Sequence, residues 1–167
     1  MTGSKEKSGS KEKSGGQEKY AAGNNPGDAI ARSALAATGA HFLLHGRDAG
    51  TGLDCIGLVC HALRGAGISC SVPFSYQLRN TTIKPFITLA GQAGLVEVKD
   101  AAQAGDILAV RCGPAQFHAL VALGPQQGAQ QAGSSFAHAD AGLGRVVTMP
   151  GPLPWPVIRH WRFVSLT

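Results

Sequence analysis

Cys55 is preceded by Gly52-Leu53-Asp54 and followed by the apolar run Ile56-Gly57-Leu58-Val59, so its thiol falls where a helix should begin. A thiol attacks a carbonyl as thiolate, and the orphan N–H groups and dipole of a helix N-terminus stabilise that negative charge. The same N–H groups can form an oxyanion hole. Asp54 suits the cap position, and the glycines before it let a substrate backbone come close. On position alone the commoner reading of Cys55 is a small buried residue. A catalytic reading needs a base held within hydrogen-bond reach. His118, in Gln116-Phe117-His118-Ala119-Leu120-Val121, fits a strand. There it shares a face with Leu120 and Ala122, and a strand is a rigid mount. A third polar group usually orients such a base. His138 would reach the far ring nitrogen of His118 if their strands pair as a hairpin, and Asp140 is the nearest alternative.

The elements that must position these groups follow from periodicity. Residues 1–25 carry the repeated unit Ser-Lys-Glu-Lys-Ser-Gly and almost no apolar side chains, so they read as a disordered leader before a domain over 26–167. Pro26 starts a first helix that Gly39 stops. Residues 40–53 read as a Gly-containing loop. The second helix follows Asp54, with Ile56, Val59, Cys60 and Leu63 on one stripe and Gly67 at its close. A short helix fits 84–93, with Pro85 at its start. The period then changes to strands at 95–98, 107–111, 117–123, 136–139, 145–149 and 157–164, with a Gln/Gly/Ala loop over 125–135. Helices first and strands later predict an α+β fold with an antiparallel sheet.

Composition excludes several classes. The chain has 167 residues with a formal net charge of +5, and it lacks a Lys/Arg run with interleaved aromatics, so nucleic-acid binding is not expected. No apolar stretch is long enough to span a membrane, and the charged N-terminus has no secretory apolar region. The four Cys at irregular spacing predict no disulfide scaffold and a chain made and kept in a reducing compartment. Cys60, Cys70 and Cys112 read as core or structural residues. Cys55 and Cys60 lack zinc-ligand spacing, so no metal is expected. His41 and His45 read as solvated loop residues, and Trp155 and Trp161 as packing anchors.

Four segments in order resemble the NlpC family of cell-wall cysteine peptidases. They are Asp54-Cys55-Ile56-Gly57-Leu58-Val59, Ala104-Gly105-Asp106-Ile107-Leu108, Phe117-His118-Ala119-Leu120-Val121 and Phe136-Ala137-His138-Ala139. The resemblance covers roughly residues 28–165. It implies a papain-like NlpC fold, with N-terminal helices packed on the sheet and no cofactor. It implies hydrolysis of amide bonds in peptidoglycan stem peptides through a thioester on Cys55, with His118 as base and His138 orienting it. It also places Asp54 and Phe42 beside the substrate. Phe42 stands where the family has Tyr, Ala40 where it has Pro, and the His118–His138 separation exceeds the family's usual spacing. Ile56 and the closing Trp155 and Arg159-His160-Trp161-Arg162-Phe163 are similar to the branch found in phage tails and gene transfer agents. That implies synthesis in the cytoplasm, partners among phage-tail-like structural proteins and action at a cell wall. Two other expectations compete: a tail component that keeps the fold without the activity, and an acyltransferase or amidase on other substrates.

Overall fold

The computed structural model describes residues 25–71, 81–125 and 133–165. The leader, apart from Asn25, and most of the 125–135 loop lie outside these residues. Asn25 caps the first helix, α1 (Pro26–Ala36), by accepting the Gly27 N–H at 3.0 Å. Ile30 and Ala34 fall on its buried side. Two short strands, β1 (Arg47–Asp48) and β2 (Gly52–Leu53), form an antiparallel hairpin inside the segment expected to be loop. The second helix, α2 (Cys55–Gly65), has Asp54 at its N-cap and buries its whole predicted stripe. The third helix, α3 (Lys84–Gln92), starts with Pro as expected.

Six strands make the main sheet: β3 (Leu95–Glu97), β4 (Ile107–Gly113), β5 (Gln116–Pro125), β6 (Ser134–Asp140), β7 (Arg145–Pro150) and β8 (Val157–Phe163). Their order is β3-β8-β4-β5-β6-β7, antiparallel throughout. The arrangement is the α+β fold with an antiparallel sheet that the sequence predicts.

Alternation divides the strands between two apolar layers. Ile107, Ala109, Ala119, Val121, Ala137, Ala139 and Val146 pack toward α1 and α2. Leu108, Val110, Leu120, Ala122 and Phe136 form a second layer on the other face, covered in part by Met149, Leu153 and Trp155. With both faces covered, β4 and β5 read as nearly continuous apolar runs.

Asp106 fixes the start of β4. It is fully buried, and its oxygens take Arg162 Nε and Nη2 at 2.8 Å each, His160 Nε2 at 2.7 Å and the Gln103 N–H at 2.8 Å. Burial alone would raise this carboxyl, but Arg162, His160 and the Gln103 amide together hold it down at about 2. The paired Arg and His of the C-terminal run thus tie β8 to the Gly-Asp turn.

Cys60 and Cys70 form a disulfide, with Cα atoms 5.3 Å apart, which corrects the expectation of no cross-link. The reason is the turn after α2. Gly67 takes a φ of 77°. The Ile68 N–H bonds back to Leu63 O at 2.9 Å. Arg64 Nε and Nη2 reach Cys70 O at 3.0 and 2.6 Å. Together these fold Cys70 onto the helix stripe. Loop-closure entropy for so short a ring gives roughly 2–3 kcal/mol. Reduction with a phosphine should therefore lower the thermal midpoint by several degrees, and a Cys60→Ala/Cys70→Ala chain should already melt at the reduced value.

No helix among the described residues is long and apolar enough to cross a membrane.

Candidate active site

The start of α2 is built as a rigid platform. Asp54 Oδ1 accepts the Gly57 N–H at 2.7 Å, satisfying an orphan donor of the first turn. The same oxygen faces Arg47 Nη1 at 3.2 Å, and Oδ2 accepts the His45 N–H at 2.7 Å. One carboxylate thus joins the helix to the segment leading into β1. Gly57 has to be glycine here, because a Cβ would sit 2.0 Å from the Gly46 carbonyl oxygen. The Asp54 side chain is only 3% exposed. Its oxygens face inward and hold the cap. Phe42 is half-buried against the helix-side core. Its N–H bonds to Gly144 O at 2.8 Å, which lays residues 39–42 along the β7 edge.

Cys55 occupies the first position of α2 and is buried. Burial first, and the Asp54 carboxylate second, push its thiol up to about 12. Backbone hydrogen bonds from Ala119, Ile56 and Cys55 itself oppose this but do not win. The thiol is therefore raised where the helix N-terminus argues for a depression: desolvation outweighs the backbone hydrogen bonds. The Ala119 contact sets the sulfur against β5, one residue from His118.

His118 and Leu120 fall on the face of β5 that carries the second apolar layer, as alternation predicts. Val110 of β4 stands directly opposite His118. β5 and β6 pair antiparallel with Val121 opposite Ala137, a register that brings His138 diagonally across from His118. The contact is direct: His118 Nε2 lies 3.0 Å from His138 Nδ1, with the rings nearly perpendicular at 84°. The hydrogen-bond partner of His118 is thus His138. Asp140 acts on both rings only through its charge, which raises them. Its Oδ1 accepts the Leu143 N–H at 2.9 Å.

Desolvation, with a smaller push from His138, lowers His118 to about 4. His138 is lowered by burial as well. The two shifts on Cys55 and His118 both favour the uncharged form, a neutral thiol and a neutral imidazole. A stability consequence follows with a definite sign. Below pH 6.5 the unfolded chain protonates this histidine before the folded one does, so the native state loses stability as pH falls toward 4. The wild-type chain should lose roughly 2 kcal/mol more than His118→Gln between pH 7.5 and pH 4.5, read by urea unfolding. An equal loss in both would show that His118 is not held neutral.

Trp155 is an unforeseen neighbour. Its ring stands edge-on to both imidazoles, 6.4 Å from His118 and 6.1 Å from His138. It approaches from the loop before β8, and nothing in its spacing relative to the histidines signals the contact.

Solved structures with a similar fold include two from one organism. The chain superimposes on NlpC2 from Trichomonas vaginalis with a TM-score of 0.59 and 18% identity, over 86% of this chain and 50% of that one. It matches NlpC1 from Trichomonas vaginalis at 0.59 and 20% identity, over 84% of this chain and 46% of that one. The fold is the NlpC fold. This chain spans about half the length of either structure. No protein-family model and no curated protein sequence matches it.

Proposed function

We propose that this chain is a cysteine peptidase that cleaves amide bonds in peptidoglycan stem peptides, with Cys55 as nucleophile, His118 as base and His138 as its orienting partner. The observation that carries the reading is the 3.0 Å His118–His138 hydrogen bond, one residue along β5 from the amide that holds the Cys55 sulfur. With Nε2 of His118 committed to His138, its Nδ1 is the nitrogen left for the thiol. That tautomer has Nε2–H donating to His138 Nδ1, and His138 then carries its own proton on Nε2.

Chemistry then proceeds by general-base catalysis rather than from a resting ion pair. As the sulfur attacks the amide carbonyl, its proton passes to His118 Nδ1, and the new S–C bond forms a tetrahedral oxyanion. The N–H groups at the start of α2 stabilise that oxygen. The C–N bond breaks, the amine leaves with the proton from His118, and a thioester remains on Cys55. Water, deprotonated by the same imidazole, then hydrolyses it. Imidazolium forms only in passing, with the Asp140 charge favouring it.

The peptidoglycan substrate rests on the ordered motifs that resemble the NlpC family. Delivery on a phage-tail-like particle rests on the likeness of Ile56 and the C-terminal run to that branch. The test is release of amines from purified stem peptides, comparing wild type with Cys55→Ala. Release that depends on Cys55 supports the reading, and release undiminished in Cys55→Ala sinks it. The deep burial of Cys55 and the loss of a Tyr hydroxyl at Phe42 favour a second reading, a tail component that keeps the scaffold alone. A folded wild type that releases nothing while binding tail partners would establish that alternative.

A further inference from the structure

A cleft of about 830 Å³ opens on the side of the sheet where the second apolar layer lies. Leu108, Phe136, Leu153 and Trp155 give it an apolar wall. Trp155 belongs at once to this cleft and to the histidine pair, so the cleft begins where the imidazoles end.

The charged groups of the cleft are almost all spoken for. Asp100 holds Arg162 at 2.8 Å, Arg159 faces Glu97 at 3.5 Å, and His160 is bound by Asp106 at 2.7 Å. Lys99 is exposed on the lip and makes no ion pair among the described residues. A ligand here meets aromatic and aliphatic surface that reaches the histidine pair through Trp155, and a single uncompensated cation further out. That combination selects an apolar group followed by one negative charge.

We propose that this cleft is a specificity subsite for a peptide's carboxylate end, which seats an aliphatic side chain on Trp155 and Phe136 and sets its terminal carboxylate against Lys99. The inference rests on the peptidase reading, since it takes the bound peptide to continue from the scissile bond. It predicts a preference for short, free-acid peptides over the same peptides amidated at the C-terminus.

The experiment uses the full chain with Cys55→Ala, titrated with a short stem-type peptide as free acid and as amide, followed by tryptophan fluorescence. The free acid should bind about fivefold tighter, the upper range for an exposed ion pair, and the preference should shrink at high salt. Lys99→Gln should abolish it, and Lys99→Glu should reverse it. Lys99 is exposed and touches none of the proposed catalytic residues, so these variants should fold and hydrolyse amidated peptides as the wild type does. Equal affinity for acid and amide, or a preference that survives Lys99→Gln, would overturn the subsite. Amine release by the wild type separates the two readings. Hydrolysis without a carboxylate preference removes the subsite alone, and a Lys99-dependent preference without hydrolysis removes the peptidase alone.

Discussion

His118→Gln is expected to lower kcat by about 10⁴-fold with little change in KM, because a thiol buried and pushed up to about 12 has no route to thiolate without a base. Glutamine keeps a polar side chain of similar reach but accepts no proton. His138→Ala should cost less, on the order of 10²-fold, since it removes the group that fixes the ring and its tautomer and leaves the base itself. His138→Asn should recover part of that loss, because an amide oxygen can still accept from His118 Nε2. The double variant should be no slower than His118→Gln alone, as expected of groups that act as one unit. Steady-state kinetics on a chromogenic amide would measure all four. A His138→Ala enzyme as fast as wild type would remove His138 from the mechanism.

Arg162→Met should cost roughly 3–5 kcal/mol in stability, the largest effect expected outside the proposed catalytic residues. The asymmetry of exposure is the reason: the Arg162 side chain is 21% exposed, whereas that of Asp106 is 1% exposed. Removing the guanidinium leaves a buried carboxylate with only His160 and one backbone N–H to compensate it. Urea unfolding would show a lower midpoint at unchanged slope. Pairing Arg162→Met with Asp106→Leu should recover part of the loss, because no charge is then stranded. A single-variant cost below 1 kcal/mol would mean that Asp106 takes up a proton or reaches water.

Much of the fold is legible in the chain. The expected strands lie within two or three residues of β3 to β8, because alternation and the Gly-Asp and Gly-Leu turns set their limits. The stripe of α2 is equally plain. The β1–β2 hairpin is not, since two-residue strands carry no period. The Asp106 cluster joins partners 54 and 56 positions apart, a separation no local pattern reveals. In the site, the histidine pairing follows from two strands and a hairpin, so it is readable. The protonation states are not. A helix N-terminus argues for a thiolate at Cys55, but the degree of desolvation depends on how α2 seats against β5, which only three dimensions supply. Trp155 is hidden for the same reason.

The Cys60–Cys70 bond has a practical side for anyone who counts sulfhydryls. With that pair closed, two thiols remain, Cys55 buried and Cys112 half-buried at the end of β4, and burial raises both above the ordinary range. An Ellman assay on the native chain should therefore develop colour slowly, and the first equivalent should report Cys112, the less buried group, rather than the proposed nucleophile. Under denaturant without reductant the stoichiometry should settle at two, and only a prior reducing step should bring it to four. A stoichiometric alkylation of the native protein is thus no measure of active sites unless Cys112 has first been replaced.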